Sequence, residues 1–306
     1  MITFTTIGRN DNYGGNFLNN LYRSLEHNLD EISKLTEDFE YILTDWVSTE
    51  KNLFELDQFN YLIVKYPQLK VYNINQSVAI NEGLSTDILY EYFAKNIGIR
   101  RSNGTFTVVL NSDLLLSSDL IENFILLSKE NTIPHVFRPR FSVGIKTNSD
   151  LNVVNSNIMT FNISEIGQHL DESCNFKGEN FYDSIFPTID FLNEKIDPLK
   201  EIASGDIIAC HTNILKDLIR GYDETNSQHR QKNKRQSGMD SEMIYNFAVR
   251  KMPVYFLENL YFHIEHSRKD LKRDNVRQMY IWKNPDDWGF VKYETKQISS
   301  NVYNII

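Results

Sequence analysis

The chain has 306 residues, 41% of them hydrophobic and 24% charged, enough to build one large domain or two small ones around a well-buried core. Its 32 Lys and Arg stand against 41 Asp and Glu, a net charge of −9, so no overall positive field exists to hold a polyanion and general nucleic-acid binding is excluded. Cys174 and Cys210 are too few for a disulfide framework and lack the CxxC spacing of zinc or redox sites, which points to a reduced, cytoplasmic setting. No apolar run approaches the roughly 18 residues of a membrane span, and no basic segment followed by an apolar stretch opens the chain.

Residues 2–7 alternate Ile and Phe with Thr and stop at Gly8-Arg9-Asn10-Asp11, the pattern of a strand that runs into a loop. Phe17, Leu18, Leu21 and Leu25 then recur at helical spacing. Phe39–Thr44 reads as a second strand ending at Asp45-Trp46, and Lys70–Ile74 as a short third. Leu84, Ile88, Leu89, Tyr92 and Phe93 predict a helix to about Ile97, with Gly98 as its C-cap. Thr105–Leu110 is apolar on both faces, as a central strand covered by helices should be, and ends at Asn111-Ser112-Asp113. This βαβαβ rhythm predicts an α/β fold with a mixed, mainly parallel central sheet flanked by helices, whose ligands bind beyond the carboxyl ends of the strands. Asp11, Asp45 and Asp113 all lie at such ends.

From about 135 to 200 the pattern is irregular, with strand-like pieces such as Val153–Ile163. A strand over Gly205–Cys210 follows, then a helix over Asn213–Arg220 closed by Gly221 and a basic stretch from Gln228 to Gln236. A helix over Asp240–Arg250 and a strand pair, Val254–Leu257 and Leu260–His263, complete the regular part. From Lys269 the tail is charged and then aromatic; Trp282, Tyr293 and Tyr303 are suited to packing on the domain, pairing subunits or touching a membrane surface. With no internal repeat and no low-complexity linker, residues 1–268 read as one composite domain, divided near residue 115, and residues 269–306 as a C-terminal extension.

A carboxylate such as Asp113 at a strand end can ligate a hard divalent ion whose other ligands are diphosphate oxygens and water, or make a local turn hydrogen bond. Its context carries a resemblance. Ala94-Lys95-Asn96-Ile97-Gly98-Ile99-Arg100, then Gly104-Thr105-Phe106, then Asn111-Ser112-Asp113 resembles the run that precedes and contains the DxD-type motif of glycosyltransferase family 2, which has the GT-A fold. Arg9-Asn10-Asp11 is similar to that family's N-terminal loop. Ala203-Ser204-Gly205-Asp206, Arg220-Gly221-Tyr222-Asp223-Glu224 and Gly238-Met239-Asp240-Ser241-Glu242-Met243 resemble its acceptor half, and His263-Ile264-Glu265-His266-Ser267-Arg268 its C-terminal His motif. Each block is short; their order across about residues 2–268 is the more specific signal. Two positions depart from the pattern. Asn111 stands at the first Asp of the motif, which removes a negative charge near the expected metal and ribose, and Met239 stands where relatives often have Glu beside the catalytic Asp.

The resemblance implies a metal-dependent transferase that moves a sugar from a UDP- or GDP-linked donor to a hydroxyl of a glycan or other acceptor. It further implies inversion and a place in surface polysaccharide or glycan assembly; the cysteine usage adds a cytoplasmic location, and the aromatic tail leaves peripheral membrane contact open. Asp113 with His266 or His263 would hold Mn2+ or Mg2+; Arg9, Asp11, Asp45 and Asn111 would contact the nucleotide, and Asp206 and Glu242 the acceptor. Asp240 would be the general base that takes the acceptor hydroxyl's proton. Simpler roles stand beside these: Asp240 as a helix N-cap, Glu242 as a first-turn acid favoured by the helix dipole, Asp206 as a turn acid, the histidines as structural strand residues. The basic run Arg230, Lys232, Lys234 and Arg235 is either a lid over the diphosphate or a solvated loop. Two other functions compete. Nucleotidyl transfer to a sugar phosphate asks for a glycine-rich basic loop, which Gly8–Gly15 match weakly; a non-catalytic carbohydrate- or nucleotide-binding protein on a decayed fold has Asn111 as its chief support.

Overall fold

The computed structural model describes residues 1–11, 16–48, 50–129, 136–145, 206–224, 254–264 and 282–306, with residues 243, 246, 247, 250 and 252. In chain order these form β1 (Ile2–Gly8), α1 (Phe17–Leu35), β2 (Phe39–Trp46), α2 (Asp57–Lys65), β3 (Leu69–Ile74), α3 (Gln76–Asn81) and α4 (Glu91–Arg101). They continue as β4 (Phe106–Leu110), β5 (Leu114–Leu116), α5 (Ser118–Leu127), β6 (Val136–Ile145), β7 (Ile207–His211), a short π-helix (Ile214–Ile219), β8 (Val254–Ile264), β9 (Thr295–Ser299) and β10 (Val302–Ile305). The strands join one sheet in the order β5-β8-β6-β7-β4-β1-β2-β3-β10-β9. From β4 to β10 the neighbours run parallel, and antiparallel pairs enter at β7, β5 and β9. The expected α/β architecture with a mixed, mainly parallel sheet is the observed one.

Strand composition explains the layers. Every residue of β1 and β2 is buried, because side chains alternate between two covered faces. Phe4, Tyr41, Leu43 and Val71 meet Leu21, Leu25 and Leu29 of α1, Leu62 of α2 and Phe124 of α5 on one face. Ile42, Trp46 and Ile74 meet Phe93 and Ile97 of α4 on the other. The opposite, amino ends of the strands are tied by Glu40, which accepts from Thr3 Oγ1 at 2.7 Å and Lys70 Nζ at 2.7 Å. The short strand β5 has its outer backbone satisfied by α1: Ser24 Oγ and Asn28 Nδ2 donate to the Leu114 carbonyl at 2.6 and 2.9 Å, and Asn28 Oδ1 accepts from the Leu116 amide at 2.9 Å. Such capping removes an open edge.

Three expectations change. Gly98 does not end its helix: α4 runs to Arg101, and a Cβ at Gly98 would lie 1.9 Å from Thr5 Oγ1, so glycine is needed for the helix to rest on β1. The expected strand pair near the end is one continuous strand, β8. Within the stretch read as a C-terminal extension, β10 pairs in parallel with β3 and β9 folds back antiparallel on β10. Its aromatic side chains pack on the domain: Trp288 is 1% and Trp282 7% exposed, and Tyr303 stacks on Tyr72 at 5.0 Å. Among the described residues no helix is long and apolar enough to cross a membrane.

Candidate active site

The parallel register of β1 with β2 and β4 brings the chain's strand-end residues to one edge of the sheet; Gly8 lies opposite Asp45. Past β1, the Arg9 side chain is 3% exposed, donates from Nη2 to the Thr86 carbonyl at 2.8 Å and places Nε 3.2 Å from Asp11 Oδ2. Its Nη1 has no hydrogen-bond partner among the described residues, a buried donor of the kind that costs free energy until an acceptor reaches it. Asn10 laces this loop to the next one, its amide donating to Ser48 Oγ and its Nδ2 to the Lys51 carbonyl, each at 2.8 Å.

At the carboxyl end of β2, Asp45 is fully buried. Its Oδ1 accepts from Ser48 Oγ at 2.5 Å and its Oδ2 from the Leu53 amide at 2.6 Å. Burial lifts this carboxyl to about 7, against the pull of those two hydrogen bonds and of Arg9. The sequence points to Asp45 as a nucleotide contact; the structure has both its oxygens holding the loop after β2.

Past β4 the arrangement is different. Asn111 accepts from Lys95 Nζ at 2.8 Å through Oδ1 and donates from Nδ2 to Asp206 Oδ1 at 3.1 Å. Its backbone amide donates to the Asp206 carbonyl at 3.0 Å. Asp206 Oδ2 accepts from the Tyr261 hydroxyl at 2.7 Å. Lys95, 1% exposed, also pairs with Glu91 at 2.7 Å and lies 5.3 and 5.5 Å from the ring centres of Tyr92 and Tyr222. Two residues on, Asp113 places Oδ2 3.4 Å from His263 Nε2, with side-chain exposures of 14% and 17%. β5 and β8 make that meeting: Leu114 is in register with His263, and the Asp113 carbonyl accepts from the Ile264 amide at 2.8 Å.

Asn111, Asp113, Asp206 and His263 are thus assembled around one strand end, while Arg9, Asp11 and Asp45 sit around the neighbouring two. Asp240, Glu242 and His266 lie outside the described residues, as does the basic run from Arg230 to Arg235. Sequence reasoning assigns no role to two residues that the structure makes prominent. Lys95 is a charged residue inside a helix buried continuously from Tyr92 to Ile99, and a lone lysine in such a segment is a signal of a paired polar core. Glu224 accepts from Asn96 Nδ2 at 3.0 Å and from the Gly289 amide at 2.8 Å, and burial lifts it to about 7. It fastens the turn at Arg220 and Gly221, whose φ values are 62° and 69°, between α4 and the C-terminal segment.

No protein-family model and no curated protein matches the sequence. Solved structures are similar at low identity. Mannosyltransferase PcManGT from Pyrobaculum calidifontis, in complex with GDP-Man and Mn2+, is 13% identical with a TM-score of 0.49, over 88% of this chain and 57% of its own. S. aureus TarS 1-349 is 13% identical with a TM-score of 0.46, over 86% of this chain and 60% of its own. The galactosyltransferase LgtC, in complex with donor and acceptor sugar analogs, is 10% identical with a TM-score of 0.37, over 83% and 72%. This chain therefore spans less than two thirds of the length of the first two.

Proposed function

We propose that this chain is a metal-dependent glycosyltransferase, using a nucleoside diphosphate sugar and a hydroxyl acceptor. The observation that carries the reading is the meeting of Asp113 and His263 at 3.4 Å, beside Asn111 and Asp206, at the carboxyl end of a central parallel strand. That is where an open α/β sheet binds its ligands, and where the DxD-type resemblance puts a cation. The donor set suits one: a partly exposed carboxylate oxygen and an imidazole nitrogen stand close enough to reach a single Mn2+ or Mg2+ ion, with His266 as the further ligand that the resemblance supplies. Such an ion, when bound, neutralises charge on the leaving diphosphate.

The chain's own residues would divide the remaining work. Arg9, whose Nη1 has no hydrogen-bond partner among the described residues, offers a buried donor to an acceptor atom of the nucleotide. Asp11 fixes that guanidinium, and Asp45 shapes the adjoining loop. Asp206 and Glu242 serve the acceptor or sugar hydroxyls, and Asp240 takes the acceptor's proton during an inverting displacement. Cytoplasmic glycan or polysaccharide assembly, with peripheral membrane contact, is the corresponding setting.

Calorimetric titration of UDP and of GDP, each with and without manganese, into the wild-type protein and Asp113→Ala tests the reading. The expected result is manganese-dependent binding of one nucleotide that the variant loses. Absence of binding for both nucleotides under every condition would overturn it.

A further inference from the structure

The asparagine at position 111 looks, in sequence, like a lost charge. The hydrogen bonds around it say otherwise. Its amide is used at both ends: the carbonyl oxygen accepts a hydrogen bond from Lys95 Nζ at 2.8 Å, and the NH2 group donates one to Asp206 Oδ1 at 3.1 Å. The second Asp206 oxygen takes the Tyr261 hydroxyl at 2.7 Å. A carboxylate at position 111 would keep the bond to Lys95, but it has no proton to give Asp206. It would instead hold an anionic oxygen about 3 Å from another, an arrangement in which both cannot comfortably stay ionised.

We infer that Asp206 supplies the carboxylate that the first motif position lacks, and that Asn111 and Asp206 act as one cross-strand unit. Asparagine at 111 is then required by its partner on the segment entering β7. Lys95 faces a single negative charge on the Asn111–Asp206 pair whichever of the two positions bears it. Asn111 is a positioning residue here: it aligns Asp206 with Lys95 and Tyr261 beside Asp113. The structural half of the inference rests on the hydrogen bonds, and its consequence for donor binding rests on the proposed transferase activity. It removes the main support for a decayed site, since the negative charge is relocated and not lost.

The reciprocal exchange tests it. In the double variant Asn111→Asp with Asp206→Asn, the new carboxylate at 111 would accept from both Lys95 and the new amide at 206, whose carbonyl would accept from Tyr261. These three side-chain hydrogen bonds and the net charge are preserved. Asn111→Asp alone should lower Tm by about 4 °C and weaken manganese-dependent nucleotide binding about tenfold. The double variant should recover most of both losses, so that its fall in Tm is smaller than the sum of the falls in the two single variants. An Asn111→Asp protein that is as stable as wild type or binds nucleotide more tightly would overturn the inference, as would a double variant no better than additive. If wild-type protein binds neither nucleotide, the transferase reading fails, while the Tm cycle still decides the pairing.

Discussion

Asp45 lies at the carboxyl end of β2 and Asp113 just past β4, the two strands that flank β1, and in sequence they are the same kind of residue in the same kind of place. The structure separates them. Asp45 is fully buried, with both oxygens held by Ser48 and Leu53; Asp113 stays partly exposed, its oxygen facing a histidine from a distant strand. Position at a strand end therefore does not by itself fix what an acid contacts. The path of the chain beyond the acid decides its role: after Asp45 the backbone turns back to cap the carboxylate, whereas after Asp113 it enters β5 and leaves the side chain toward His263.

Exchanging each acid for alanine sharpens that contrast most. Asp113→Ala should weaken manganese-dependent nucleotide binding by about 100-fold, some 3 kcal/mol, with little change in Tm. Asp45→Ala should do the opposite: the Leu53 amide and Ser48 hydroxyl lose their acceptor, a cost of about 1–3 kcal/mol, which appears as a fall of several degrees in Tm. Paired calorimetry and thermal unfolding of the two variants check this. Equal loss of nucleotide binding in both, with stability unchanged, would break the distinction.

A smaller effect separates ligand from ion-pair partner at His263. His263→Gln keeps a polar side chain in β8 and should weaken nucleotide binding by about tenfold in the presence of manganese. Without manganese the wild type and variant should bind alike. A loss of the same size in both conditions would make His263 a charge partner of Asp113 only.

Much of this architecture is legible because the signals are local. β1, β2 and β4 are runs of β-branched and aromatic residues, and the acids that end them are adjacent in sequence to the strands that place them. Gly98 misleads because a glycine near a helix end has two meanings, a left-handed cap or a close approach, and only the position of Thr5 on β1 distinguishes them. β8 reads as two strands because Glu258-Asn259 puts two polar residues into an otherwise apolar run, although Asn259 is used in a hydrogen bond to Asn123 of α5 at 2.7 Å. β9 shows no hydrophobic alternation because it is the exposed edge of the sheet. The union of Asn111 with Asp206, and of Asp113 with His263, joins residues far apart in the chain through strand order, which no periodicity encodes.

The smallest predicted effect concerns pH and belongs to Asp45 alone of the two acids. Burial lifts its carboxyl from an ordinary value of 3.8 to about 7. Between about pH 4 and 7 the folded chain therefore retains a proton that the unfolded chain has released, and stability falls as pH rises through this window. The contribution is fully present below the unfolded value and lost above about 7. Asp45→Asn removes the titration while keeping both contacts, since its carbonyl can accept from the Leu53 amide and its NH2 can donate to Ser48 Oγ. Its Tm should match wild type near pH 5 and exceed it by roughly 3 °C near pH 8. Glu224, lifted in the same direction by burial, remains in the variant, so the decline of Tm with pH should be reduced and not abolished. A variant whose Tm runs parallel to wild type from pH 5 to 8 would show that Asp45 is ionised throughout, and the buried acid would then differ from Asp113 in its contacts but not in its charge.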